Sequence, residues 1–90
     1  MTAAQQKLLV RNAILLQLAA ASPAPLPTAT LQEGLRLLGH TSDPAALAAH
    51  LDYLAQKDYL HTTRSELSSA DLRYYLSARG REYLEAQGLT

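Results

Sequence analysis

Cysteine is absent from the 90 residues. That removes disulfides, thiolate metal sites and thiol nucleophiles together, and it fits a reducing compartment. Charge of one sign is not in excess either, since eight Lys and Arg stand against eight Asp and Glu. Domains that hold nucleic acid by charge alone carry a clear basic surplus, so a strongly electrostatic binder is not expected. A basic-then-apolar leader with a small-residue cleavage site is missing. The longest apolar stretch, LLVRNAILLQLAAA, is broken by Arg11, Asn12 and Gln17. It is too short and too polar to span a bilayer, so the expectation is a cytoplasmic protein without membrane contact.

Catalytic and metal-binding patterns are also lacking. His40, His50 and His61 share no helical face and lack the His-x-x-x-His or Glu-x-x-His spacing that brings two ligands together. Glu82 and Glu85 are three apart on an expected surface helix, where solvated carboxylates are usual. GLRLLG does not have the spacing of a phosphate-binding loop, and the serines of the SELSSAD segment sit in no nucleophile motif. No metal, no cofactor and no enzymatic activity are expected.

What is present is apolar periodicity with clear punctuation. Thr2 followed by Gln5 is a capping-box pattern that opens a helix over about 3–21, closed by Ser22-Pro23. Leu8, Leu9, Val10, Ile14, Leu15, Leu16 and Leu18 surround most of this helix, more than one small core requires. SPAPLP, 22–27, is a proline-fixed extended connection. A second helix follows over about 28–38, with Leu31, Leu35 and Leu38 as its stripe and Gly39 as its C-terminal cap. Ser42 or Asp43 caps a third helix over about 43–56, with Pro44 in its first turn and Leu47, Leu51 and Leu54 inward. Two helices joined this tightly form a helix-turn-helix pattern.

After Gln56 the period shifts toward two. YLHTTR (59–64) and LRYYLS (72–77) are β-rich runs separated by the polar SELSSAD, which can close a hairpin. Tyr74 and Leu76 fall on one face of the second run, Arg73 and Tyr75 on the other. Ser77 then caps a last helix over about 78–87, with Gly88 as its stop. A single domain over 1–90 is expected, burying about 60 to 65% of its unfolded surface. Stability should be modest, and self-association would help.

These segments resemble a winged helix-turn-helix domain of the ArsR/MarR-like kind. LGHTSDPAALAAHLDYLAQKDYL (38–60) is similar to the family's second-helix end, tight turn and third helix. YYLSARGREYL (74–84) is similar to its Tyr-x-Leu-Thr-x-x-Gly-x-x-Leu ending of the second wing strand. More narrowly, ILLQLA, LQEGLRLLGH and HLDYLAQKDYL resemble the small winged-helix proteins of Mu-like phages and prophages. Asp58 departs from the pattern, standing where the family has glycine, and aspartate tolerates the left-handed conformation better than most residues. The resemblance implies an α+β, mostly α fold with a three-helix core, a two-stranded β wing and a C-terminal helix.

The resemblance also implies a regulator that binds double-stranded DNA, with the third helix in the major groove and the wing against the backbone. With the three leucines inward, that helix would present Ala46, Ala49, His50, Tyr53, Gln56 and Lys57, together with Ala45 and Asp52. Bidentate base reading needs Arg, Asn or Gln. Gln56 alone qualifies, and Asp52 would repel phosphate. Positive charge is concentrated instead in Lys57, Arg64, Arg73, Arg79 and Arg81, which puts the candidate DNA contacts on the wing and the start of the fourth helix. The expectation is backbone contact with weak base readout; the alternative is a protein-interaction module that does not bind DNA. The apolar girth of the first helix suggests a homodimer through Leu8, Leu15, Tyr83 and Leu84.

Overall fold

The computed structural model describes residues 2–40, 43–65 and 68–90. Helix α1 (Ala3–Ala21) begins at a capping box in which Thr2 Oγ1 accepts from the Gln5 amide and Gln5 Oε1 accepts from the Thr2 amide. It delivers Val10, Ala13, Ile14, Leu15 and Leu18 to the interior, where helix α2 (Thr28–Leu37) adds Leu31 and Leu35. Helix α3 (Pro44–Gln56) adds Leu47, Leu51 and Leu54, and helix α4 (Ala78–Ala86) adds Leu84. Leu60, Tyr74 and Leu76 close the core from the sheet. Each fully buried leucine contributes about 1.5 to 3 kcal/mol, whereas an exposed ion pair such as Arg36 with Glu33 is solvated and screened and contributes little. Apolar burial therefore sets the arrangement, and α1 is the helix against which both α2 and α4 pack.

The structure corrects two expectations about the apolar residues. Leu15 and Leu84 are completely buried within the chain, so neither offers surface to a second copy. Leu38, expected to continue the α2 stripe, is 61% exposed. The reason is the way α2 closes: Gly39 takes φ of 86°, its amide donates to the Arg36 carbonyl, and the His40 amide donates to that of Leu35. Leu38 is the C-cap at the very end of the helix, and this Schellman turn at Gly39 takes the chain away immediately after it, so no further turn covers its side chain.

The chain leaves α1 through Ser22-Pro23 and forms a short strand, β1 (Leu26–Pro27). Strands β2 (Leu60–Ser65) and β3 (Ser68–Leu76) make the hairpin, and the sheet order is β1-β3-β2, antiparallel throughout. The expected two-stranded wing is thus part of a three-stranded sheet. Proline holds the connection extended, and as an edge residue it loses nothing by lacking an amide. The polar SELSSAD segment, expected as a loop, is mostly strand from Ser68 onward, with an irregular register at Arg64 and Ser65. A hydrogen-bond ladder is a backbone property, so polar residues extend it wherever the partner strand runs alongside. Tyr59 stands before β2 and Ser77 after β3, so each expected run loses one terminal residue to a turn or cap.

Both junctions around the hairpin are tight. Asp43 Oδ1 caps α3 by accepting from the Ala46 amide at 2.7 Å; Ser42, the other expected cap, lies outside the described residues. At the far end of α3, Asp58 adopts φ of 62°, and a second Schellman turn forms from the Asp58 amide to the Ala55 carbonyl and from that of Tyr59 to Leu54. Aspartate therefore occupies the left-handed position that glycine would fill more cheaply. The buried Ser77 hydroxyl donates to the Asp58 carbonyl and accepts from the Gly80 amide at 2.9 Å. One side chain thus ties the end of α3 to the start of α4.

Candidate nucleic-acid interface

Helical geometry decides which side chains of α3 face outward. With Leu47, Leu51 and Leu54 at the core, the opposite side at 100° per residue is Ala45, Ala49, Asp52 and Gln56, all exposed. Gln56 Nε2 donates to Asp52 Oδ2 at 2.9 Å. The one amide of the base-reading type is therefore engaged by a carboxylate. Ala46 is half-buried in the first turn, where its amide holds the Asp43 cap.

His50, Tyr53 and Lys57 lie on the flank that turns toward α1. Arg11 of α1 meets them there: its Nε donates to His50 Nδ1 at 3.3 Å, and its guanidinium carbon stands 3.7 Å from the Tyr53 ring centroid. Lys57 Nζ is 5.7 Å from the same centroid, so two cations share one aromatic ring. Burial, with the positive charges of Arg11 and Lys7 adding to it, holds His50 below the ordinary imidazole range. A neutral ring is what an Nδ1 acceptor requires, so the hydrogen bond and the shift agree. A cleft of about 200 Å³ opens beside this cluster, with Tyr59 and Tyr83 in its wall. Those two rings stack at 4.7 Å, and the Tyr83 hydroxyl donates to Asn12 Oδ1 at 2.7 Å.

In the sequence Arg11 stands only as an interruption in an apolar run. Its partners are 39 and 42 positions away, and nothing local announces them.

The wing divides its arginines. In the β2–β3 ladder Thr62 pairs with Tyr74, Arg64 with Leu72, and Thr63 with Arg73. Paired residues share a face, so Arg64 lies on the face of Tyr74 and Leu72, the one that packs toward α3. A cleft of about 240 Å³ between Ala48, Asp52 and Ala55 of α3 and Thr62 and Tyr74 of the sheet joins these surfaces. Arg73 lies on the other face with His61 and Tyr75, and it pairs with Asp71 at 3.3 Å. Arg79 is exposed in the first turn of α4, while Arg81 Nη2 reaches back to Ser22 Oγ at 3.0 Å. Of the expected basic contacts, Arg64 shares the side of the exposed α3 face, Arg73 is on the opposite side of the wing, and Arg81 is directed at the α1–β1 connection.

No protein-family model matches the chain, and no curated protein matches it. Solved structures do. A PadR-like transcription factor from Bacteroides fragilis superposes with a TM-score of 0.75 over 93% of this chain and 81% of its own, at 19% identity. A proposed transcriptional regulator from Thermoplasma acidophilum gives 0.76 over 96% and 81%, at 13% identity. A mutant MepR from a multidrug-resistant S. aureus clinical isolate gives 0.65 at 17% identity, and the chain spans 54% of its length. At these identities the likeness is one of architecture. Four helices and a small antiparallel sheet in this order are the winged-helix fold, α+β and mostly helical.

Proposed function

We propose that this protein is a small DNA-binding regulator of the winged-helix type that grips duplex DNA through its backbone and reads bases weakly. The observation that carries this is the shared side of α3 and the wing. Of the outward residues of α3, Asp52 lines, with Ala48 and Ala55, a cleft whose other wall is Thr62 and Tyr74, on the sheet face that bears Arg64. Small side chains let a helix enter a groove closely, and Lys57 at the end of α3 and Arg64 on the sheet supply cations beside it. An acid and an amide bonded to each other leave little to recognise a base edge. The regulators of the same fold from other organisms support the class of function.

The proposal extends to origin, assembly and place of action. Placement among Mu-like phage and prophage proteins is supported by the ILLQLA, LQEGLRLLGH and HLDYLAQKDYL segments. Pairing of two copies is supported by Leu8 and Leu9, 50% and 43% exposed on the first turns of α1, with Tyr83 half-buried nearby. The site of action is the cytoplasm, in keeping with a chain that has no cysteine and no helix long and apolar enough to cross a membrane among the described residues. A second reading, a protein-interaction module, is favoured by Leu37 and Leu38, which stand 72% and 61% exposed beside the helix-turn-helix bend.

The test compares the two wing arginines. Binding to a duplex at about 50 mM salt should weaken in Arg64→Ala, and the slope of log K against log salt should become shallower by about one. Arg73→Ala, on the other face, should bind like the parent. Equal losses in both variants would overturn this orientation of the wing, and absence of binding in the parent would turn the choice to the protein-interaction reading.

A further inference from the structure

We infer that Arg11 is the positioning residue of the candidate interface: from α1 it holds His50 and Tyr53 against the helix flank, leaving Ala45, Ala49, Asp52 and Gln56 to meet the duplex. The inference rests on the DNA-binding reading for its functional consequence, but the contacts stand independently of it. Arg11 is half-buried and bonded to His50 Nδ1 through Nε, with its planar group over Tyr53. His50 and Tyr53 are the two large side chains of α3 that could reach a base, one by hydrogen bonding and the other by stacking or its hydroxyl. The same arginine restrains both.

This arrangement has a physical logic. A guanidinium presents five donors in a rigid plane, so it can bond edge-on to an imidazole while its face covers a phenol ring. A lysine at this position could sit over the ring but could not reproduce the directed Nε bond. Arg11 also neutralises none of the acids of α3, because its partners are uncharged. It is therefore an orienting group rather than half of an ion pair. Its removal should free two rotatable side chains next to the outward face, and selectivity should change while electrostatic attraction to phosphate does not.

The experiment uses the full chain with Arg11→Ala and Arg11→Lys, and has two readouts. Imidazole NMR on the protein alone should show His50 as the Nε2–H tautomer, titrating below the ordinary histidine range. In Arg11→Ala its pKa should rise and the tautomer preference should relax. In Arg11→Lys the cation is kept and the tautomer preference should still relax. On a panel of unrelated duplexes, Arg11→Ala should change affinity unevenly, by at least about fivefold for some sequences, with the salt slope unaltered. An unchanged His50 titration and tautomer in Arg11→Ala would overturn the inference. So would a salt slope shallower by about one with the same loss on every duplex, which would make Arg11 a phosphate contact. If the parent binds no duplex, the DNA-binding reading fails by itself, and the His50 signals still decide whether Arg11 orients α3.

Discussion

Replacing Gly80 by alanine should destabilise the protein by about 2 kcal/mol, although alanine is the better helix former. Within a helix, glycine to alanine gains up to about 1 kcal/mol from propensity. Here a Cβ on residue 80 would stand 2.0 Å from the Tyr59 carbonyl oxygen and 2.8 Å from Leu76 Cδ1. The first obstacle is backbone, locked in the Schellman turn that ends α3, so it cannot swing aside as a side chain would. Relief requires α4 to move away, which loosens the Tyr59–Tyr83 stack and the seat of Leu84. Overpacking costs about 1 to 3 kcal/mol, and a clash with fixed backbone belongs at the upper end, which exceeds the propensity gain. A urea titration should show a lower midpoint, and a midpoint raised by the alanine would contradict this account of the junction.

Ser77→Ala should cost about 2 kcal/mol at the same junction. The hydroxyl is the N-cap of α4, a role worth about 1 kcal/mol, and it also donates to the Asp58 carbonyl from a nearly buried position. Removing it leaves the Gly80 amide and the Asp58 carbonyl each short of a partner, and an unsatisfied group in such a place costs about 1 kcal/mol or more. Denaturant unfolding checks the value. A loss below about 0.5 kcal/mol would mean that water replaces the hydroxyl at both ends.

The capping role of Ser77 is legible in the amino-acid sequence, whereas the close approach of Gly80 to Tyr59 is not. Ser77 as a cap, Asp43 as one of two candidate caps and the Thr2–Gln5 box follow from local hydrogen-bonding chemistry, which depends on neighbours three positions away. Leu31 and Leu35 of α2, the leucine stripe of α3 and the alternation of Tyr74 and Leu76 with Arg73 and Tyr75 follow from helix and strand periods, whereas Leu38 of the expected α2 stripe does not. Together they give the order of three helices, a hairpin and a last helix, and the winged helix is what the resemblance of 38–60 and 74–84 to that family implies.

What the sequence hides depends on partners far along the chain. Strand β1 is two residues long and exists only because β3 runs beside it. Helix α1 is apolar nearly all round, so its pattern does not tell Leu15, wholly inside, from Leu8, half outside. Arg64 and Arg73 read as one basic wing, yet the register that puts them on opposite faces is a property of the pairing. Arg11 is invisible as a functional candidate because His50 and Tyr53 reach it only in the folded chain.

The outward face of α3 has a definite composition, and it is poor in readers. Asp52 and Gln56 are bonded to each other, while His50 and Tyr53 are drawn to Arg11. On the proposed DNA-binding reading, Lys57 at the end of α3 and Arg64 on the adjoining sheet face make salt-sensitive attraction the main source of affinity. The most direct measurement is the affinity for two duplexes of unrelated sequence, each followed from about 50 to 200 mM salt. The account predicts affinities within about tenfold of each other and parallel salt slopes. One duplex bound about a thousandfold more tightly than the other would be the ratio of a true base reader, and would contradict it.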